Sequence, residues 1–197
     1  FELFHEIERA DIPKERQSRL KNQPQKIVER GAGARRIDHV NLYTPDAVEA
    51  TEWFRDVLDF NLREEVVNES EEQIASWLSV SPLVHEIAFV DADATVLNPV
   101  AYYLKSQSEL FRAADILREH DVELTGGPGK HGISQANYIY YLEPSNNQIE
   151  LFAGGYLIFD PNWEPVTWYP GETDDSLYWW GKERTWSPAE TKAHEQE

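Results

Sequence analysis

The chain lacks cysteine, has no long apolar run, and is poor in basic residues. Its 197 residues include no Cys, which excludes disulfides, thiolate metal sites and cysteine nucleophiles. No apolar run approaches the roughly 20 residues that a membrane span needs, and no basic and then apolar secretion signal opens the chain. We therefore predict a cytoplasmic protein that makes no use of a membrane.

The shortage of basic residues is confined to one part of the chain. Residues 1–36 hold 9 Lys and Arg against 6 Asp and Glu, whereas residues 37–197 hold 9 against 30. Because such an acidic surface repels phosphate backbones, nucleic-acid binding is not expected. The acidity has two explanations that the sequence leaves open, simple solubility or adaptation to high salt, where screening weakens self-repulsion.

Two stretches of the chain follow the same plan, a strand, a helix and three strands, about 60 residues apart. We predict two βαβββ modules at 35–94 and 95–155, and an α+β fold in which the two sheets pair into a cupped, incomplete barrel around a pocket. The predicted strands are Ile37–Tyr43, Asn61–Val67, Ile74–Val80, Leu83–Val90, Val96–Leu104, Asp121–Leu124, Asn137–Leu142 and Gln148–Ala153.

Two amphipathic helices are predicted, one in each module. The first is opened by Pro45 and Asp46, and the second is Ser108–Glu119. Gly126–Gly129 and Pro144–Asn147 are predicted as loops because Gly, Pro and Asn favour turns. The residues expected to face inward are Val48, Trp53, Phe54, Val57 and Leu58 in the first helix, and Leu110, Phe111, Ala114 and Leu117 in the second.

The two ends of the chain are predicted to serve these modules. Residues 1–34 are interpreted as the last strand of an earlier module, Phe1–Glu8, followed by a polar linker, and the chain does not begin with Met. Residues 156–197 hold five of the seven tryptophans, so disorder is not expected there. We predict a segment that wraps the modules, or one that also covers the mouth of the pocket.

His39 and Glu150 are the first candidates for chemistry. His39 lies in the first predicted strand of one module and Glu150 in the last predicted strand of the other, so the two can face each other inside the cup. A histidine and a carboxylate with open coordination positions make up two-thirds of the facial triad of non-haem Fe(II) oxygenases. Alone, His39 fits a hydrogen-bonded core residue equally well, whereas an unpaired buried carboxylate is costly.

The sequence resembles the type I extradiol dioxygenases of the vicinal oxygen chelate superfamily, with catechol 2,3-dioxygenases the most similar. The resemblance covers nearly the whole chain. It also implies that a family member has a further, N-terminal pair of modules, of which this chain would hold only the end. The motifs that carry it are Arg35–Leu42, Trp77–Ala88, Gly127–Gly132, Tyr138–Pro144 and Ile149–Tyr156, with weaker likeness at Arg19–Lys26 and Asp160–Pro165.

The resemblance implies a role for six residues. His39 and Glu150 would be metal ligands. His85 would be the acid–base catalyst, since an imidazole titrates near neutral pH. His131 and Tyr140 would contact the catechol oxygens, and Asn41 would lie beside the first ligand.

The third expected ligand is missing. Family members place a histidine 14 residues beyond the acid–base histidine, and here that position is Pro99. Proline has no side-chain donor and also removes a backbone N–H, so it is tolerated mainly at a strand's start or at a sheet's edge. Asn98 is adjacent, but neighbouring strand residues point to opposite faces.

The resemblance implies ring cleavage of a catechol by O2 at a non-haem Fe(II), impaired to the extent that Pro99 removes a ligand. The alternative is a non-catalytic, metal-free relative that binds an aromatic ligand or supports a partner subunit. Relatives that open carboxylated catechols carry arginines where this chain has Gly126 and Ser176–Tyr178, which favours a catechol without an acidic side chain. The expected partners are a homo-oligomer or a separate N-terminal half.

Overall fold

A computed structural model describes residues 11–19, 21–22, 25–26 and 31–181. The chain divides into two units, Phe1–Gly31 and Ala32–Glu197. In the first unit, Lys14–Arg16 form a 3-10 turn, and Gln17 and Gln25 form an antiparallel bridge. The predicted strand Phe1–Glu8 lies outside the described residues.

Among the described residues, the second unit is built on one mixed sheet of ten strands, accompanied by three α-helices. Along the sheet the strands run in the order β10-β6-β7-β8-β5-β1-β4-β3-β2-β9. The strands are β1 (Arg36–Thr44), β2 (Asn61–Val67), β3 (Gln73–Ser79), β4 (Ile87–Asp91), β5 (Val96–Tyr103), β6 (Leu124–Lys130), β7 (Ala136–Leu142), β8 (Gln148–Gly154), β9 (Val166–Trp168) and β10 (Trp180–Gly181), and the helices are α1 (Ala47–Leu58), α2 (Gln107–Glu119) and α3 (Thr173–Leu177).

The two strand–helix–three-strand stretches meet where β1 pairs with β5. That pair is antiparallel, whereas β1 with β4 and β5 with β8 are parallel. Within the described residues, β9 and β10 end the strand order, so the sheet is open. The α+β prediction with an unclosed sheet is therefore confirmed.

Each long helix covers one half of the sheet on the same face. The α1 helix begins where the Asp46 carboxylate accepts a hydrogen bond from the Glu49 amide, an N-cap that satisfies a free backbone donor. Because strand side chains alternate between faces, the opposite face of the sheet is free to line a cavity. The helix-side cores are Ala47, Phe54, Leu78, Ile87 and Phe89 under α1, and Leu104, Leu110, Ala113, Ile139, Leu151 and Ala153 under α2.

The prediction of which helical residues face inward was partly wrong. Phe54 and Leu110 are buried, but Val57 is 59% exposed and Phe111 is 54% exposed. On α1 the buried position is taken by Thr51, whose hydroxyl meets the Ser76 hydroxyl at 2.6 Å. Because a hydrogen-bonded threonine is not an apolar residue, the hydrophobic period misses it. Val48 and Trp53 are exposed like Val57.

The prediction of a loop at Gly126–Gly129 was wrong, because these residues belong to strand β6. Two glycines allow it to approach β7 closely. A Cβ on Gly127, whose φ is +72°, would lie 2.5 Å from the Tyr138 carbonyl oxygen, and one on Gly129 would lie 2.5 Å from the Tyr138 ring. Glycine therefore marks close backbone contact here. Strand β4 also begins later than predicted, at Ile87.

Pro99 lies inside a central strand, as the predicted strand Val96–Leu104 implied, although proline is unusual at such a position. Strand β5 pairs with β1 on one side and β8 on the other. The β1–β5 register shifts between the pairs Val40–Val100 and Leu42–Leu97. Two residues of β5, Asn98 and Pro99, thus oppose Asn41 alone. Because of this bulge, the sheet does not require the backbone hydrogen bond that Pro99, which has no N–H, could not donate.

The chain after β8 returns to both ends of the sheet. Strand β9 pairs with β2, and β10 pairs with β6. Trp168 and Leu177 pack against the core of Val66, Ala75, Trp77, Ala88 and Ile133. Trp186 lies outside the described residues. Of the helices in the described part of the chain, none is long and apolar enough to cross a membrane.

Candidate active site

His39 and Glu150 lie in one row across three neighbouring strands. His39 on β1 is paired with Ala101 on β5, and Ala101 is paired with Glu150 on β8. Residues in register point to the same face, and the small Ala101 between them lets the two long side chains meet. His39 Nε2 is 3.3 Å from Glu150 Oε2, although the residues are 111 positions apart.

This pair is buried and charged. His39 Nδ1 is 3.1 Å from Asp38 Oδ2. Burial alone would lower the pKa of His39, but the hydrogen bonds to Asp38 and Glu150 outweigh it and raise the pKa to about 9. Burial would likewise raise the pKa of Glu150, yet the imidazoles of His131 and His39 hold it well below its ordinary value. In the metal-free protein, His39 is therefore the cation and Glu150 the anion of a buried ion pair.

His85 stacks at an angle against His39, with 4.0 Å between ring centroids. Burial, followed by the positive charge of His39, lowers the pKa of His85 well below its ordinary value. The imidazole is therefore neutral at neutral pH, and it carries a free lone pair on one ring nitrogen. A neutral histidine can accept a proton.

His131 and Tyr140 form a second polar group on the other side of Glu150. His131 Nδ1 donates to the Leu177 carbonyl, which can only accept, so Nδ1 carries a proton. His131 Nε2 is 2.9 Å from the Tyr140 hydroxyl and 3.7 Å from Glu150 Oε1. The His131 ring also stacks on Tyr138 at a centroid distance of 3.9 Å, which holds its orientation.

These side chains face one small cavity of about 50 Å³. The structure brings all the predicted site residues together at its wall. The cavity is lined by His39, Asn41, His85, Pro99, His131, Tyr140 and Glu150, together with Trp77, Ala88, Ile133, Ser134, Phe152 and Leu177.

A second cavity of about 410 Å³ adjoins the first, and the two share His85, Ser134 and Phe152 in their walls. Most of its other walls are apolar or aromatic. Leu157, 56% exposed, lies at its rim. The additional lining residues are Arg36, Asp38, Leu83, Val84, Tyr103, Gly154, Gly155 and Tyr156.

The donor set fits a divalent cation through two protein ligands. Glu150 Oε1 is buried and has no hydrogen-bond partner among the described residues. Two donors bound at right angles to a metal at about 2.1 Å are about 3 Å apart, close to the 3.3 Å between His39 Nε2 and Glu150 Oε2. Pro99 supplies nothing, and no three His, Asp or Glu side chains in the described ranges are arranged to hold a metal.

Sequence reasoning missed three residues that shape the site. Asp38 is next to His39 on the strand, so alternation argued against their contact, whereas the backbone of β1 brings the two side chains to 3.1 Å. Ala101 gave no signal because its role depends on register alone.

The third is Glu64, a buried carboxylate on β2. It accepts hydrogen bonds from the Ser134 amide at 2.7 Å, the Tyr156 hydroxyl at 2.8 Å and the Trp168 indole at 2.9 Å. Burial raises the pKa of Glu64, and these three donors oppose the increase. Glu64 thereby ties the 3-10 turn Ile133–Gln135, which lines the small cavity, to the first half of the sheet.

Comparison with known proteins agrees with the resemblance. Residues 36–151 match the family model described as the Glyoxalase/Bleomycin resistance protein/Dioxygenase superfamily. The chain is 44% identical over 188 residues to the manganese-dependent 2,3-dihydroxybiphenyl 1,2-dioxygenase of Geobacillus genomosp. 3, covering 93% of this chain and 59% of that protein. It is 40% identical over 181 residues to the metapyrocatechase of Geobacillus stearothermophilus, covering 88% and 55%. The chain thus spans little more than half the length of these relatives.

Solved structures give the same picture. The 2,3-dioxygenase LapB from Pseudomonas sp. KL28 superimposes with a TM-score of 0.72 at 33% identity, covering 78% of this chain and 55% of that one. Homoprotocatechuate 2,3-dioxygenase from Brevibacterium fuscum, in complex with 3,4-dihydroxyphenylacetate, superimposes with a TM-score of 0.71 at 28% identity, covering 81% and 49%.

Proposed function

Because the chain belongs to the glyoxalase, bleomycin resistance protein and dioxygenase superfamily, we propose that it carries the ring-cleaving site of an extradiol catechol 2,3-dioxygenase. In that reaction both atoms of O2 enter the catechol, and the carbon–carbon bond beside the two hydroxyl groups breaks. The observation that carries the proposal is the buried His39–Glu150 pair at a cavity also lined by His85, His131 and Tyr140. Relatives whose names include dihydroxybiphenyl dioxygenase and metapyrocatechase support it.

His39 and Glu150 are the residues that would hold a divalent metal, Fe(II) or Mn(II). When bound, such a metal supplies Lewis acidity that eases deprotonation of a catechol and brings the ring and O2 together. One of the relatives is named as manganese-dependent, and carboxylate and imidazole donors suit both ions. Asp38 would orient the imidazole of His39 through its other nitrogen, at 3.1 Å.

The remaining polar groups would handle protons and orient the substrate. The neutral imidazole of His85 can accept a proton from a catechol hydroxyl and return it later in the reaction. The Tyr140 hydroxyl and His131 Nε2, 2.9 Å apart, would contact the catechol oxygens. Phe152 and Trp77 give the cavity wall an aromatic surface against which the catechol ring would pack.

The substrate class we propose is a catechol with an apolar substituent or none. The chain has Gly126 and Ser176–Tyr178 at the positions where the resemblance implies arginines in relatives that open carboxylated catechols. The wall of the cavity of about 410 Å³ beside His85 includes Leu83, Val84 and Leu157, and the Arg36 in that wall is paired with Asp38. This lining suits an alkyl or aryl group. Assembly into a homo-oligomer, or pairing with an N-terminal half, remains a prediction.

The experiment is an anaerobic preparation loaded separately with Fe(II) and Mn(II), mixed with catechol and air, and followed by the absorbance of the yellow ring-opened product. We expect product with at least one metal, and loss of product in Glu150→Gln. The matched control is Glu119→Gln, at an exposed position on α2, which removes one negative charge as Glu150→Gln does.

The absence of product with both metals would contradict the proposal. If catechol then bound without being cleaved, the alternative of a non-catalytic relative that binds an aromatic ligand would be supported instead.

A further inference from the structure

On strand β5, Ala101 and Pro99 lie on the same face as His39 and Glu150, and neither has a side-chain donor atom. Ala101 is in register with both residues, and Pro99 is two residues earlier on the same strand, so it lies on the same face. Pro99 is fully buried and lines the cavity that His39 and Glu150 line. The proline ring therefore occupies the side of the site where a third protein ligand would stand.

No neighbouring side chain takes over this role in the part of the chain that the structure describes. Asn98 is fully buried beside Pro99 but is absent from the cavity wall. His131 uses Nδ1 to donate to Leu177, and its Nε2 is 2.9 Å from the Tyr140 hydroxyl. His85 packs its ring on His39 at 4.0 Å. The site offers a metal two protein donors.

A catecholate can make up this deficit. Its two adjacent oxygens chelate a metal, and together with His39 and Glu150 they give four donors. Metal-binding enzymes of this kind commonly supply three protein ligands before the substrate arrives. With two, the metal alone is held weakly, and the catechol alone lacks the cation that favours its deprotonated form.

We propose that, because Pro99 stands at the third ligand position, this chain binds its metal together with the catechol and not before it. The inference rests on the proposed function, since it requires the substrate to be a catechol. Linkage makes the effect reciprocal, so the metal raises the affinity for catechol by the same factor as catechol raises the affinity for the metal.

The test measures Mn(II) binding under anaerobic conditions, where no turnover occurs, by equilibrium dialysis with detection of free Mn(II) by electron paramagnetic resonance. Catechol at saturating concentration is expected to lower the apparent Kd for Mn(II) by a factor of about 5 to 150, the usual range of coupling between two sites. Mn(II) is expected to lower the Kd for catechol by the same factor. Glu150→Gln shows how much of the effect arises from Mn(II)–catechol complexes in solution.

Two variants at the same position isolate the cause. Pro99→His restores a donor, so we expect it to bind Mn(II) tightly without catechol, whereas the unchanged protein binds Mn(II) alone only weakly. Pro99→Ala removes the ring and adds no donor, so we expect the coupling to remain. If Pro99→His does not fold, Pro99→Ala and the unchanged protein still decide the question.

Equal Mn(II) affinity with and without catechol in the unchanged protein would overturn the inference, as would loss of coupling in Pro99→Ala. Failure of the inference can be told apart from failure of the proposed function. Tight Mn(II) binding without catechol, combined with ring-opened product, leaves the function standing and removes the inference. No Mn(II) binding with catechol and no product removes both.

Discussion

His39 and Glu150 form an ion pair, 3.3 Å apart, across a strand that separates them. Strand β5 lies between β1 and β8, and the pair meets above Ala101. Both side chains are almost completely buried. Removing one partner of such a pair leaves an uncompensated buried charge, which typically costs about 3–5 kcal/mol.

The ion pair predicts a pH dependence of stability in the metal-free protein. The pKa of His39 is raised from 6.5 to about 9 on folding, so its contribution is fully present below pH 6.5 and is lost as the pH rises through about 9. We expect the free energy of unfolding to fall by about 2–3 kcal/mol over this interval. Urea unfolding in the presence of a chelator measures it. Glu150→Gln removes one partner and is expected to flatten the slope, so an unchanged slope in that variant would contradict the assignment.

A larger side chain at residue 101 should separate His39 from Glu150. Ala101→Leu adds volume to a fully buried position, which typically costs about 1–3 kcal/mol. The expected signature is a decrease in the pKa of His39, followed by the pH dependence of its imidazole NMR signals. Ala114→Leu on α2, a half-buried position outside the cavity, is the control. An unchanged pKa of His39 in Ala101→Leu would show that the small side chain at residue 101 is not what allows His39 and Glu150 to meet.

Glu64 should stabilise both the fold and the turn beside the cavity. Glu64→Ala leaves the Ser134 amide, the Tyr156 hydroxyl and the Trp168 indole without their acceptor, and each lost hydrogen bond to a carboxylate typically costs about 1.5–3 kcal/mol. We expect a large decrease in the free energy of unfolding and faster hydrogen exchange at the Ser134 amide.

The matched control for this prediction is Glu65→Ala. The neighbouring Glu65 side chain is only half-buried and accepts from Gln73 and Thr167, so its loss should cost less and leave exchange at Ser134 unchanged. Equal effects of Glu64→Ala and Glu65→Ala would contradict the prediction that Glu64 holds the turn at Ser134 against β2.

The larger cavity should determine which substituents the catechol can carry. Leu157→Trp adds bulk at its rim, so we expect weaker binding of 3-phenylcatechol while binding of catechol itself changes little. Anaerobic calorimetry with Mn(II) present measures both. Val57→Trp, an equally exposed change on α1, is the control. A parallel loss for both ligands would argue against a substituent site.

Much of the fold could be predicted from local patterns. Strand β2 has the predicted bounds, and α1 begins after Asp46 as its cap predicts. The errors arose where one local sequence pattern is compatible with two different structures. The glycines of β6 indicated a turn, but they serve close contact with Tyr138, and Phe111 has helical spacing yet faces solvent.

The sequence by itself determined the identity of the donors and the absence of one of them, because side-chain chemistry needs no coordinates: His39 and Glu150 can bind a cation and Pro99 cannot. Only the tertiary structure decided that His39, Ala101 and Glu150 form one row, that Asp38 reaches the other nitrogen of His39, and that Glu64 ties Ser134 to β2. These relations depend on strand register between segments as far as 111 residues apart, and register follows from the packing of the whole sheet.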